Sequence, residues 1–142
     1  MKAYRAAILR FATDRDPRHA AMYEQDGLLV VGANAQGRQV VQAVGPYREL
    51  RERFPDLTVT HWPERIIAPG FVDLHSHYPQ TNVIGSPAEG LLPWLENYTF
   101  PHESRFHDED HAREVAGFFF DELQRHGVTT ALTFATSHPQ SV

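Results

Sequence analysis

The feature that most constrains this chain is the order strand, helix, strand across residues 70–135, because a helix crossing between two strands makes them members of one parallel sheet. Phe71–His77 reads as a single compact strand, opened by Pro69-Gly70 and followed by a Pro- and Gly-rich connection over residues 79–93. Asp108 suits an N-cap, and Glu109 and Asp110 place negative charge where the helix dipole favours it. Ala112, Val115, Ala116, Phe119 and Leu123 then recur at three- and four-residue steps, which predicts a helix from about Glu109 to His126 with one apolar stripe. Arg125 and His126 fit its last turn and Gly127 the position beyond it. Val128–Phe134 reads as a buried strand. Residues 70–135 are thus one βα repeat and the next strand of an α/β fold.

Residues 1–68 have a different character. Ala3–Phe11 favours a strand, as does Leu28-Leu29-Val30-Val31 after Asp26-Gly27. Asn34-Ala35-Gln36-Gly37 has turn chemistry, and Val40, Val41 and Val44 suggest the returning strand of a hairpin. Pro46 opens a short helix, Tyr47 to Phe54, which Pro55 ends. Two further short strands are expected at Leu57–Thr60 and Glu64–Ala68. The expected organisation is a small β-rich, sandwich-type domain over residues 1–68 and the βα units over residues 69–142.

Composition narrows the function. The chain has 142 residues, 42% hydrophobic and 22% charged, as a soluble globular domain would. No run approaches the roughly 18 apolar residues of a membrane span. Arg5 and Arg10 interrupt the opening segment, which argues against a signal-peptide core, so no membrane partner and a cytoplasmic address are expected. There is no cysteine, so any transition metal falls to His or carboxylate ligands. The net charge of −5 and the scattered arginines exclude the basic footprint of a nucleic-acid binder, though not recognition of a neutral free base.

The chemistry concentrates in Pro69-Gly70-Phe71-Val72-Asp73-Leu74-His75-Ser76-His77. Side chains alternate along a strand, so His75 and His77 share a face, as two imidazoles converging on one ion must. Asp73 shares that face, while Val72 and Leu74 point the other way, where helices cover a barrel strand. A His-x-His pair also arises by chance on surface strands, but the C-terminal end of a strand before an exposed loop favours metal binding. Catalytic zinc takes about three protein ligands, so further donors must lie elsewhere. Asp73 either orients a ligand from behind or is satisfied by backbone N–H groups. His102, His107, His111, His126 and His138 read as loop, helix-end or solvated residues with no shared face.

The Pro-Gly-Phe-Val-Asp-x-His-x-His segment resembles the signature of the amidohydrolase superfamily, metal-dependent hydrolases whose first barrel strand ends in this His pair. Tyr78-Pro79-Gln80, Leu91-Leu92-Pro93-Trp94-Leu95, Tyr98-Thr99-Phe100-Pro101-His102-Glu103, Thr129-Thr130-Ala131 and Phe134-Ala135-Thr136 are similar to the guanine deaminase branch of it. The resemblance covers residues 69–138 well and residues 1–68 loosely. It implies a metal-binding (β/α)₈ TIM barrel, with His75 and His77 binding Zn²⁺, although His ligands suit Fe²⁺ equally. It also implies that Gln80 hydrogen-bonds the purine, a role suited to a side chain with both donor and acceptor; the alternative for Gln80 is a polar loop residue facing water. Trp94, Tyr98 and Phe100 either pack over the site or belong to the core or a subunit contact. The implied reaction is hydrolysis of guanine to xanthine and ammonia in purine catabolism, by a homodimeric enzyme, with metal-activated water and a carboxylic acid carrying the proton.

A (β/α)₈ barrel takes about 250 residues, far more than follow His77. The further His, Asp and Glu residues that the family places on later strands are not in this sequence, which supplies no catalytic group beyond the two metal ligands. The 142 residues alone are therefore expected to form an incomplete barrel, to bind zinc poorly, to lack deaminase activity and to fold marginally. Two other readings stand beside this one: a chlorohydrolase-like or cytosine deaminase-like amidohydrolase, and a non-catalytic truncated product. The Tyr98–Glu103 segment together with Gln80 favours guanine.

Overall fold

In the computed structural model, which describes residues 1–142 apart from positions 13 and 15, the chain divides into two units, Met1–Pro69 and Gly70–Val142. Among the described residues no helix is long and apolar enough to cross a membrane.

The first unit is one four-stranded sheet of β1 (Lys2–Phe11), β2 (Ala21–Ala33), β3 (Gln39–Pro46) and β4 (Val59–Ile67), ordered β3-β2-β1-β4. β1 runs antiparallel to β2 and parallel to β4. The hairpin between β2 and β3 follows its turn chemistry: Asn34 Oδ1 accepts from the N–H groups of Gln36 and Arg38, both at 3.0 Å, and Gly37 takes φ 77°. The core is Ala3, Leu28, Val30 and Leu50, with Tyr47 and Phe54 packed against it. Leu50 comes from α1 (Tyr47–Arg53), so among the described residues the second layer is a helix, not the second sheet of a sandwich.

Two strand expectations change. β2 begins at Ala21, well before Leu28, because it pairs with β1 as far as Phe11↔Ala21. The two short strands expected at Leu57–Thr60 and Glu64–Ala68 are a single strand, β4. Its register with β1 jumps from Arg5↔His61 to Ala7↔Ile66, a bulge in which Pro63 cannot donate to the ladder and Glu64 adopts φ 59°. In the sequence that bulge looks like a gap between strands.

In the second unit β5 (Phe71–His77) and β6 (Val128–Phe134) pair in parallel, from Phe71↔Val128 to His77↔Phe134. A Cβ on Gly70 would collide with the Thr129 side chain, which explains glycine at the entry to β5. The crossover ends in α4 (Glu109–Arg125), where Asp108 Oδ1 caps the N–H groups of Asp110 and His111 at 2.9 and 3.3 Å. Gly127, at φ 79°, stops the helix.

The segment before α4 is more helical than its prolines suggest. A 3₁₀ turn over Tyr78–Val83 precedes α2 (Leu91–Trp94), a π turn over Leu95–Thr99, α3 (Phe100–Glu103) and a 3₁₀ turn over Ser104–His107. Pro101 has no N–H to return to the carbonyl four residues earlier, and the chain widens into the π turn just before it. Tyr78, Phe106, Ala112 and Val115 form the core, with Ala116, Phe119 and Ala135 packed against it. The α4 stripe is thus used on Tyr78 and Phe106, and Val72 and Leu74 stay 59% and 71% exposed where helix cover was expected. β6 is not the buried strand anticipated either, since Leu132 and Phe134 are 60% and 47% exposed. A two-stranded sheet in this unit has too few neighbours to cover both of its faces.

Candidate active site at the ends of the parallel strands

Strand alternation brings the two imidazoles together at the C-terminal end of β5. His75 Nε2 and His77 Nε2 lie 3.1 Å apart, with ring centroids at 5.2 Å. Two Nε2 donors at that separation, each about 2.05 Å from one zinc ion, would subtend roughly 100° at the metal, within the range of tetrahedral sites. The donor set therefore fits a metal that accepts imidazole nitrogen. Among the described residues no third His, Cys, Asp or Glu completes a metal-binding group, so the pair by itself offers two donors, fewer than a catalytic zinc site takes.

Phe134 holds the pair from the neighbouring strand. As the register partner of His77 it stacks on that ring at 4.6 Å and 13°, and it lies 5.2 Å from the His75 ring. In the sequence Phe134 stands out only as part of the Phe134-Ala135-Thr136 segment, with no role attached, although its place at the end of β6 was the available signal. Ser76, between the histidines, bonds Thr133 Oγ1 at 3.0 Å and so ties the two strands together. Asp73 Oδ1 accepts from the His75 backbone N–H at 3.0 Å. Of its two readings, the structure shows this backbone bond, which braces the strand just before the histidines.

Gln80 stands on the 3₁₀ turn immediately after β5 and is half-buried. Its Nε2 donates to Glu103 Oε1 at 3.0 Å. Glu103 and Phe100 line a cleft of about 230 Å³ together with Ser104, Thr136, Ser137 and His138. The cleft therefore draws on the helical run and on the segment that follows β6. Trp94 and Tyr98 are half-buried in the helical run and are not among its lining residues.

The remaining histidines are less scattered than their spacing suggests. His102 is buried, and its ring lies 5.6 Å from that of His111, edge to face. Phe106 packs against both, at 5.8 and 4.9 Å. His107 and His138 form a second pair at 6.0 Å. His102 and His111 stand at helix ends, one of the places expected for them, but the expectation of no shared face fails, because Phe106 gathers their rings. Burial lowers the His102 pKa below the ordinary histidine value, with Arg105 and His111 adding to the effect and Glu103 opposing it. His126, exposed at the end of α4, is solvated as expected.

A strand-end His pair on a parallel β-α-β unit is a frame for metal-dependent hydrolysis, and residues 66–142 match the model of the amidohydrolase family; the chain belongs to that family. Within it, the chain is similar to guanine deaminases. It is 44% identical over 124 residues to the guanine deaminase of Escherichia coli (strain K12), an alignment covering 87% of this chain and 27% of that protein. The solved E. coli guanine deaminase superposes with a TM-score of 0.84 at 38% identity, over 99% of this chain and 33% of the other. The guanine deaminase of C. acetobutylicum, solved with guanine in its active site, gives 0.78 at 29% identity, over 99% and 31%. The chain thus spans about a third or less of the length of these relatives.

Proposed function

We propose that the full-length protein containing this chain is a metal-dependent guanine deaminase, converting guanine to xanthine and ammonia, in which His75 and His77 are two of the metal ligands and Gln80 contacts the base. The observation that carries this reading is the convergence of the two Nε2 atoms at 3.1 Å one turn before Gln80; similarity to guanine deaminases points to the substrate. The metal, zinc or iron, supplies activation of water when bound. To bind it, each imidazole has to be neutral and protonated at Nδ1, leaving the Nε2 lone pair free. Phe134 limits rotation of the His77 ring by stacking, and Asp73 fixes the backbone that carries His75. Gln80 offers an amide donor and acceptor to the polar edge of the base. The other metal ligands and the acid that protonates the departing amine come from residues outside this sequence. In the same reading, residues 1–68 form a small domain of their own, residues 69–142 open the barrel, and the enzyme is a cytoplasmic homodimer.

The substrate is tested by ammonia release from guanine, adenine, cytosine and hydantoin. Guanine is expected to lead in kcat/KM by at least about 100-fold, because a site built to hydrogen-bond one polar edge leaves its own groups unpaired with another. A preference for cytosine or hydantoin would move the protein to a different branch of the family.

A further inference from the structure

The Gln80–Glu103 contact joins a residue of the proposed base site to one that no role has so far been given. A glutamine amide can turn over about its last torsion at little cost, exchanging its N–H₂ donor for its carbonyl acceptor. An unrestrained glutamine therefore presents either order of donor and acceptor to a flat ring. A carboxylate accepts only, so the amide group 3.0 Å from Glu103 Oε1 has to be the nitrogen. Glu103 is half-buried, and among the described residues its carboxylate belongs to no ion pair. A charge-assisted bond to Gln80 is its described partner, which makes that bond stronger than one between neutral groups. Glu103 also lines the cleft with Phe100, Thr136 and His138, so the restraint acts at the strand-end face.

We propose that Glu103 is a positioning residue that locks the Gln80 amide in one orientation, and so fixes the order in which donor and acceptor meet the base. One amide hydrogen is committed to Glu103; the carbonyl oxygen and the second hydrogen remain for a ligand. Bases whose donor and acceptor stand in the complementary order are selected over those with the order reversed. The proposal rests on the reading of Gln80 as a base contact.

The test is a double-mutant cycle in the full-length protein with Glu103→Ala, Glu103→Gln and Gln80→Ala, together with NMR of ¹⁵N-glutamine-labelled protein. Glu103→Ala is expected to raise KM for guanine about 10-fold, as befits one lost hydrogen bond, while kcat changes less than about threefold. Glu103→Gln keeps the volume but can present either a donor or an acceptor, so its expected rise is about threefold. In the Gln80→Ala background, Glu103→Ala should add less than about twofold, because the residue it positions is gone. The two Nε2 protons of Gln80 should be widely split in the unmodified protein and converge in Glu103→Ala. Equal effects of Glu103→Ala with and without Gln80, no effect on KM, or unchanged Gln80 resonances would each overturn the proposal. Should Glu103→Ala fail to fold, Glu103→Gln decides by the same two readouts. Absence of guanine turnover in the unmodified protein would count against the substrate reading alone, since the Gln80 resonances still report whether Glu103 holds the amide.

Discussion

Replacing either His75 or His77 by alanine in the full-length protein is expected to lower kcat/KM for guanine by at least about 10³-fold and to bring the bound metal well below one equivalent. The size of the effect follows from position. Outer residues that only support a metal ligand cost about 10- to 100-fold when removed, and these two imidazoles present their Nε2 atoms directly to one point, 3.1 Å from each other. Within these 142 residues His75 is exposed and His77 half-buried, so little packing is lost with either ring, and the fall in melting temperature should be the one that loss of the metal brings. Metal analysis by mass spectrometry and an ammonia assay check both parts. A variant that keeps full metal occupancy and activity would remove that histidine from the site.

The second large effect is on stability. Phe106 is completely buried and is the ring on which Tyr78, His102 and His111 meet, with centroids at 5.6, 5.8 and 4.9 Å. Phe106→Ala is expected to destabilise the Gly70–Val142 unit by about 3–5 kcal/mol, through lost transfer energy and the cavity left behind. Collapse would not repair the site easily, because Nε2 of His102 and of His111 are both buried without a hydrogen-bond partner among the described residues. Hydrogen exchange locates the effect: protection of α4 amides should fall, while that of β1 and β2 persists. A loss below about 1 kcal/mol in denaturant unfolding would show that Phe106 is not the centre of this core.

What the sequence made legible was local and periodic. The shared face of His75 and His77 follows from strand alternation alone, and α4 could be placed between Asp108 and Gly127 because cap, first-turn charge and stop each have a chemical signature. Pairings of distant segments were harder to read. The bulge around Pro63 made β4 look like two strands, since nothing local reveals that β1 continues alongside. The Pro- and Gly-rich composition of residues 79–93 suggested a plain connection where the chain forms a 3₁₀ turn and enters α2. The packing of Phe134 on His77 became visible only through their register, and the Gln80–Glu103 bond, 23 residues apart, has no periodic trace at all. The exposure of Val72 and Leu74 could not be foreseen from alternation, which assigns a face but not what covers it.

In the proposed reading His75 and His77 form one incomplete metal site at the end of β5. Titration of Zn²⁺ into the 142-residue chain labelled with ¹⁵N-histidine decides whether it exists. The resonances of His75 and His77 are expected to move together, those of His19, His61 and His126 to stay still, and binding to be weak, since two imidazoles supply too few donors for a closed zinc site. Zinc that shifts other histidines while leaving this pair unmoved would rule the site out, as would tight stoichiometric binding that recruits three or more histidines of this chain.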